Sequence, residues 1–465
     1  MTHAGKRVGD KLAPVLLDHV AKLDFADLPG EAVKYCKLLV MDSLGVTLPG
    51  MQAPGCSAVT DLVRAWAGSE GATVLLHGFK APPPLAALAN STMMHALDFD
   101  DTFDLSALHT FVSVLPAALA TAEAVGGVDG KKLITALVLG VEVINRISLG
   151  IRRPLSWIRS STCGSFGAAA CAGKILGLSR AQMTNALGVV YAQTAGNAQS
   201  ILEGRLVKRM QPGFAAQAGV TSAFLARAGI TGSHDFLEGA YGFYNLYERG
   251  EYDPAPVLEG LGQRFSIMDL SLKPYPCCRM THSAIDAALE LRGQVKGQHE
   301  QIEALEVKAS SMVTEMVGRP FVLGTDPQVD AQFSIPYTVS AALIRGDVFL
   351  RDFELPAIQD ETVKNLADKV KVKVNPSLPA KDLMHAALTV IMQDGRRFGS
   401  RVDTPLGNPA KPLDLKLSRE KFNKCLAQSR LVVPRAQVAE LLAMIEHLED
   451  VGETSRLARL LQANA

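Results

Sequence analysis

The chain contains 465 residues, enough for two domains or for one large domain that carries an insertion. Hydrophobic residues make up 48% and charged residues 20%, and 47 basic side chains balance 47 acidic ones, which argues against a nucleic-acid partner. The seven cysteines form no C-x-x-C pair, and no P-loop, dinucleotide fingerprint or H-E-x-x-H motif occurs. We therefore expect no cofactor held by cysteines and no nucleotide cradle.

Charged residues interrupt the N-terminal segment MTHAGKRVGDKLAPVLLDHVAKL (1–23), where a signal peptide would need an apolar core. The longest apolar runs, such as LITALVLGVEVI (133–144), are too short to cross a bilayer. These patterns predict a cytoplasmic protein without a membrane segment.

Residues 12–260 show apolar side chains at three- and four-residue intervals, the period of an amphipathic helix. Examples are the segments 31–48, 130–148 and 180–196. Small residues crowd CGSFGAAACAGKILG (163–177) and GFAAQAGVTSAFLARAG (213–229), which favours closely packed helices over the alternative of a glycine-rich anion loop. This part of the chain is predicted to be all-α.

The pattern changes near residue 266, where segments of β-branched alternation appear at 302–310, 370–378 and 387–403, the last with a D-G turn. We predict a fold that is mainly α with an α+β part. Residues 1–266 form a large all-α domain, which residues 406–465 complete, and residues 267–405 form a smaller α/β domain inserted before the C-terminal helices.

The stretch MHALDFDDTF (94–103) places one histidine and three acids beside apolar residues. If it is helical, His95, Asp98 and Thr102 share one face, where they would orient a polyanionic substrate or a proton shuttle. The alternative is a helix N-terminus at which the acids satisfy free amide groups.

A second alternative rests on DDTFD, in which Asp100, Asp101 and Asp104 match the D-D-x-x-D pattern of helical isoprenoid synthases. The second acidic motif of those enzymes is missing from the chain, which weakens this hypothesis.

Further residues downstream complete an inventory of acids, bases and cations that suits proton movement next to a carboxylate. They are His109, Lys208, Lys273, Cys277, Cys278, Arg279 and His282.

The order of these motifs resembles the MmgE/PrpD family, which includes 2-methylcitrate dehydratase, cis-aconitate decarboxylase and iminodisuccinate epimerase. The segments that carry the resemblance are HALDFDDT (95–102), GVEVINRI (140–147), GSFGAAACAGKILGL (164–178), VKRMQPGFAAQAGVTSAFLARAGITG (207–232), LKPYPCCRMTHSAIDA (272–287) and AQFSIPYTVSAAL (331–343). The resemblance implies a helical domain with an α/β lid, a homodimer, and catalysis that needs neither a metal nor an organic cofactor.

The resemblance also implies roles for individual residues. His109, Lys208, Asp98 and Tyr337 are the expected catalytic residues, with His109 as the leading base because its unperturbed pKa lies near neutral pH. The residues expected to bind the substrate are Thr102, Lys273, Arg279, His282 and His95.

Two positions depart from the family pattern. Many members carry a histidine before the G-x-F-G-A-A helix, where this chain has Ile158, and a histidine of the decarboxylases stands near the position of Cys278. The spacing from Thr102 to His109 is also about one residue longer than in the decarboxylases.

The chemistry implied is a carbanion or enolate next to a carboxylate of a small di- or tricarboxylic acid such as 2-methylcitrate. A lyase of the dehydratase type is the first expectation, with Tyr337, His282 or Asp98 as the second acid. The alternatives are an epimerase of a dicarboxylate, a decarboxylase of the cis-aconitate type, and a carboxylate-binding protein without turnover.

Overall fold

The computed structural model describes residues 11–462, so the first ten residues of the N-terminal interpretation lie outside the described part of the chain. The helices of the first part are α1 Leu12–Lys22, α2 Gly30–Gly50, α3 Cys56–Ala65, α4 Pro83–His95, α5 Phe111–Ala124, α6 Gly130–Leu149, α7 Arg159–Leu176, α8 Arg180–Tyr191, α9 Gln199–Leu202, α10 Val207–Arg227, α11 Phe243–Leu246 and α12 Ala255–Leu258. A two-stranded ribbon, β1 Ala72–Thr73 and β2 Lys80–Ala81, precedes α4.

The second part of the chain contains both helices and strands. The helices are α13 His282–Val295, α14 Ser311–Val317, α15 Pro327–Gln332, α16 Ile335–Arg345, α17 Leu355–Ile358 and α18 Glu361–Ala367, and the strands are β3 Ile302–Ala309, β4 Val370–Val374, β5 Ala386–Met392 and β6 Arg397–Val402. The chain ends with α19 Leu415–Gln428, α20 Arg435–Glu446 and α21 Arg456–Leu460.

One four-stranded sheet orders its strands β4-β3-β5-β6. β3 runs parallel to β4, with Leu305 opposite Val370, and antiparallel to β5, with Val307 opposite Leu388. β5 and β6 form a hairpin across the predicted D-G turn, in which Gly395 has a φ of 87°. The predicted fold, mainly α with an α+β part, is confirmed.

The described residues form two hydrophobic cores. The larger core joins α1–α8 and α10 to the C-terminal helices α19–α21, and the smaller core lies between the sheet, α13 and α16. Leu272, Phe349 and Leu350 pack on the larger core although they fall within 267–405. The domain boundaries therefore stay a prediction.

Close helix packing explains the two segments of small residues. α7 and α10 cross so closely that a Cβ atom at Gly219 would lie 2.5 Å from the Cβ of Ala168. The expected tight helix pair is confirmed, and the alternative of an anion loop at 163–177 is wrong because that segment is helical. No helix among residues 11–462 is long and apolar enough to span a bilayer.

Candidate active site

The loop between α4 and α5 carries the acidic stretch. α4 ends at His95, and Asp98 has a left-handed φ of 52°, so the predicted helical face of His95, Asp98 and Thr102 is wrong. Asp competes with the helical backbone for hydrogen bonds and tolerates left-handed geometry better than most residues, which explains why several acids end the helix here. Thr102 then pairs with Ser271 through two backbone hydrogen bonds of 2.9 and 2.7 Å.

Two lysines from distant segments bind the carboxylate of Asp98. Lys208, at the start of α10, donates to Oδ1 at 2.7 Å, and Lys273 donates to Oδ2 at 3.0 Å. Burial alone would raise the pKa of Asp98, but the two ammonium groups outweigh it and hold the pKa well below its usual range. Asp98 is therefore an ionised carboxylate at neutral pH and organises the two cations.

Lys273 has no exposed surface. Burial favours its neutral amine, but Asp98 and Asp100 outweigh burial and raise the pKa of Lys273. A charged ammonium group is thus fixed at the base of the site.

His95 and His109 share one carboxylate oxygen. The Nδ1 atoms of His95 and His109 lie 2.9 and 3.0 Å from Oδ2 of Asp100, and the ring centroids are 4.6 Å apart in an edge-on arrangement. His109 Nδ1 also lies 2.9 Å from the carbonyl oxygen of Asp101. With Nδ1 held by these oxygens, Nε2 is the proton-exchanging atom of His109.

Burial and neighbouring charges shift the pKa values of both Asp100 and His95. Burial would raise the pKa of Asp100, but His109 and His95 lower it far below the usual value. Burial lowers the pKa of His95 to about 4, assisted by Lys208 and opposed by Asp100, so His95 is neutral near pH 7.

Asp101 caps helix α5. Its two carboxylate oxygens accept hydrogen bonds from the backbone N–H groups of Thr110 and Phe111, each at 3.0 Å. Burial and the nearby Asp100 raise the pKa of Asp101 to about 8. For Asp101, the alternative interpretation is therefore correct: this acid satisfies free amide groups at a helix N-terminus.

Arg279 pairs with Asp104 and not with Asp98. Its Nε is 3.3 Å from Oδ2 of Asp104, and Asp104 Oδ1 accepts the hydroxyl of Thr102 at 2.8 Å. Nη1 of Arg279 donates to Nδ1 of His282, which is fully buried and whose Nε2 lies 3.3 Å from the carbonyl oxygen of Cys277. Burial and then Arg279 hold the pKa of His282 well below its ordinary value.

These groups surround a cavity of about 100 Å³, with room for several waters or one small acid. Seven of the residues predicted from the sequence line it: His95, Asp98, Thr102, His109, Lys208, Lys273 and Arg279. The other lining residues are Asp104, Ala107, Leu155, Ile158, Arg159, Ser160, Ile201, Cys278, Met280, Met316, Phe333 and Leu383.

Two predicted site residues are not among those that line the cavity. Tyr337 is completely buried in the smaller core, where its hydroxyl donates to the carbonyl oxygen of Asp352. His282 lies behind Arg279 and positions that guanidinium. The structure therefore gives both residues supporting contacts, because each uses its polar atoms on protein partners.

Two cavity residues coincide with the noted departures from the family pattern. Ile158, at the N-terminus of α7, is 8% exposed. Cys278, which also lines the cavity, is 9% exposed. Burial and Asp98 raise the pKa of the Cys278 thiol to about 11, so the thiol is neutral at pH 7.

Three side chains hold the acidic loop, and sequence reasoning missed two of them, Gln332 and Lys421. Gln332 donates to the carbonyl oxygen of Leu97 at 2.8 Å, Lys273 to that of Asp98 at 2.8 Å, and Lys421 to that of Phe99 at 2.9 Å. We call Gln332, Lys273 and Lys421 the carbonyl clamp.

Lys421 is itself held by Asp42 of α2, at 2.6 Å, and lies 3.8 Å from the ring centroid of Phe99. Gln332 also donates to the carbonyl oxygen of Pro276 at 2.8 Å, which links α15 to the segment between Lys273 and α13. Lys421 carries no local motif that could have predicted its role, whereas Gln332 stands in the quoted segment AQFSIPY.

Among the described residues, His95, Asp100 and His109 form a set of ligand-type side chains whose donor atoms all lie within 4.8 Å of one another. This set could hold one metal ion, although two lysines stand close by. The prediction that no metal takes part stays a prediction.

The acids of DDTFD do not converge on a common point. Asp100 contacts two histidines, Asp101 caps a helix and Asp104 pairs with Arg279. This arrangement does not fit the isoprenoid-synthase hypothesis, because both oxygens of Asp101 are used by backbone amides.

Fold and site together define a mainly helical enzyme of small carboxylic acids. Comparison with known proteins identifies its family: the MmgE/PrpD N-terminal domain matches residues 15–255, and the MmgE/PrpD C-terminal domain matches residues 275–450. The chain therefore belongs to the MmgE/PrpD family, as the sequence motifs predicted.

The chain is similar over its length to proteins named cis-aconitate decarboxylase. It is 28% identical over 445 residues to the protein of Mus musculus, covering 92% of this chain and 89% of that protein. Identity is 27% over 452 residues with the Homo sapiens protein, covering 95% and 92%, and 26% over 463 residues with the Aspergillus terreus protein, covering 94% and 92%.

Proposed function

We propose that the protein is a lyase that releases carbon dioxide from a small carboxylic acid through a carbanion next to a second carboxylate. The observation that carries the proposal is His109, whose Nδ1 is fixed by Asp100 and the Asp101 carbonyl while its ring lines the cavity beside Lys208 and Lys273. The site thus combines one oriented acid–base group with two cations.

The lysines would bind and neutralise the substrate. Lys208 uses one of its three N–H donors on Asp98, and Lys273 uses two on the carboxylate and carbonyl of the same residue. The remaining donors are free to face a substrate carboxylate. As the carbon–carbon bond breaks, its electron pair moves onto carbon and toward this carboxylate. Fixed positive charge beside the carboxylate can lower the free energy of the transition state by about 3 kcal/mol.

His109 completes the reaction as the proton donor. Its Nε2–H proton forms the new C–H bond at the carbanion, carbon dioxide leaves, and the imidazole regains a proton from water. Asp100, whose Oδ2 lies 3.0 Å from Nδ1, fixes the orientation of the ring before this step.

We favour decarboxylation over dehydration because the two reactions need different numbers of proton donors at the cavity. Dehydration needs a base and also a second acid, for which the sequence suggested Tyr337, His282 or Asp98. The first two bind protein groups away from the cavity, and Asp98 is an ionised carboxylate between two lysines. Decarboxylation needs one proton donor, and the similar proteins named above are decarboxylases, which supports this choice.

Isotope-resolved NMR in deuterium oxide tests the proposal with a panel of unsaturated and hydroxylated di- and tricarboxylic acids, including cis-aconitate, 2-methylcitrate and alkyl-substituted dicarboxylates. We expect labelled bicarbonate together with deuterium at one product carbon. A vinyl product without bicarbonate would indicate a dehydratase, proton exchange alone an epimerase, and binding without turnover a carboxylate-binding protein.

Variants connect this activity to the site. His109→Gln should lower kcat by about 10²- to 10⁴-fold, the range for loss of a general acid. The matched control is His234→Gln, because His234 is exposed and is not among the residues that line the cavity. Equal kcat for His109→Gln and the wild type would contradict the mechanism.

We also propose that the protein is cytoplasmic, as the sequence predicted, and a homodimer, as the resemblance implied. An exposed apolar stripe on α10 supports the dimer: Val207, Phe214 and Leu225 are 43%, 41% and 38% exposed and lie on one side of the helix. Light scattering after size exclusion tests it, and Phe214→Glu should shift the mass toward the monomer.

A further inference from the structure

Apolar side chains line the cavity together with its charged groups. Leu155, Ile158, Ile201, Met280, Phe333 and Leu383 come from the loop before α7, from α9 and from the smaller core region. We call these six residues the apolar wall. Partly exposed apolar side chains that face a cavity gain free energy when an apolar group covers them.

Ile158 is the most firmly placed residue of the apolar wall. Its carbonyl oxygen accepts hydrogen bonds from the backbone N–H groups of Ser161 and Thr162, each at 2.9 Å, so it begins helix α7. The aliphatic side chain of Ile158 can neither donate nor accept a proton. This part of the cavity is therefore suited to hydrocarbon.

The next residue, Arg159, fixes the rim of the same wall. Its Nη1 donates to the carbonyl oxygen of Ser106 at 3.0 Å, and its Nη2 donates to that of Arg153 at 2.8 Å. The guanidinium is thus held in place with its charge beside the cavity.

The charges that line the cavity limit the number of carboxylates it can take. The cations are Lys208, Lys273, Arg159 and Arg279. They stand against the two carboxylates of Asp98 and Asp104, which leaves an excess of two positive charges among the lysines, arginines and acids that line the cavity. A dianion neutralises this excess, and a third carboxylate would be desolvated against the apolar wall without a partner, which is costly.

We propose that the substrate is a dicarboxylic acid that carries an alkyl substituent. Its carboxylates lie toward Lys208, Lys273 and Arg279, and its substituent lies against Ile158 and the rest of the apolar wall. This inference rests on the proposed function, since it assigns the substrate class of the same site.

Calorimetric binding of four unreactive acids tests the inference: succinate, methylsuccinate, propylsuccinate and tricarballylate. The last two are similar in size and differ in whether the arm ends in hydrocarbon or in a carboxylate. For the wild type we expect affinity to rise about fourfold per added CH₂ group, and propylsuccinate to bind at least about tenfold more tightly than tricarballylate.

Ile158→Asn should remove most of the preference for propylsuccinate while succinate binds nearly as before. Ile230→Asn is the matched control, because Ile230 is 49% exposed away from the cavity and should keep the wild-type order of affinities. The wild-type comparison decides the inference even if the Ile158 variant fails to fold.

The outcomes separate this inference from the proposed function. Tighter binding of tricarballylate than of propylsuccinate would overturn the alkyl-substituted dicarboxylate while the lyase proposal stands. Failure of all four acids to bind, together with no turnover of any acid in the NMR panel, would overturn both.

Discussion

The ammonium group of Lys273 binds Asp98 at two places, the carbonyl oxygen at 2.8 Å and carboxylate Oδ2 at 3.0 Å. One side chain therefore fixes both the backbone and the side chain of a residue in left-handed geometry. Because Asp98 also binds Lys208, the position of both cations depends on this contact.

Lys273→Met should lower both stability and activity. Removing one partner of a buried ion pair typically costs about 3–5 kcal/mol, and loss of a fixed cation should lower kcat by about 10²- to 10³-fold. Urea unfolding and steady-state kinetics measure the two effects. Lys34→Met, at an exposed lysine of α2, is the control, and a Lys273 variant with the stability of that control would contradict the assigned contact.

Tyr337→Phe should affect stability and leave catalysis almost unchanged. The hydroxyl donates to the buried carbonyl oxygen of Asp352, so its loss should cost about 1–2 kcal/mol of unfolding free energy. We expect kcat within about twofold of the wild type, because the ring lies in the smaller core. A loss of activity greater than about 100-fold at unchanged stability would restore Tyr337 to the catalytic residues that the resemblance implied.

His95 should make stability depend on pH below neutrality. Its pKa is about 4 in the folded chain, mainly because of burial, against an ordinary value of 6.5. Between these values the unfolded chain binds more protons, so the unfolding free energy falls as the pH drops, by at most about 1.4 kcal/mol per pH unit for one group. The depressed pKa of Asp100 acts in the same direction at lower pH.

Denaturation curves between pH 7 and pH 4.5 measure this dependence. His95→Gln should have a shallower decline than the wild type, since glutamine does not titrate, whereas the exposed-site variant His234→Gln should retain the wild-type decline. Parallel curves for all three proteins would show that folding does not shift the pKa of His95.

Removal of metal ions should not change the activity. His109 acts as a proton donor only if its nitrogen atoms are free of a metal, so dialysis against a chelator should leave kcat at its initial value. If activity disappears and returns with a divalent transition metal, then His95, Asp100 and His109 are ligands and the assigned mechanism fails. Metal analysis of the dialysed protein provides the check on complete removal.

The sequence was sufficient for the fold class, the family and seven of the residues that line the cavity, because those depend on periodicity and on residue types that cluster along the chain. The conformation of the acidic loop was not predictable in the same way. A helical period fits His95, Asp98 and Thr102, but the competing hydrogen bonds of Asp100 and Asp101 end the helix after His95.

Residues that act through tertiary contacts are the hardest to assign from the sequence. Tyr337 and His282 stand in motifs of the family, yet their polar atoms are used by Asp352 and Arg279. Lys421 lies in an amphipathic helix like many other lysines, and its contact with Phe99 joins positions 322 residues apart. Local patterns carry no information about such a pairing.

The carbonyl clamp also has a consequence for the order in which the protein matures during synthesis. Domains generally begin to fold from the N-terminus while the ribosome is still extending the chain. The acidic loop emerges early, but Lys273 and Gln332 follow far behind it and Lys421 comes later still. A nascent chain that stops before α19 holds the loop without its third partner, so the carbonyl clamp is complete only after α19 has been synthesised.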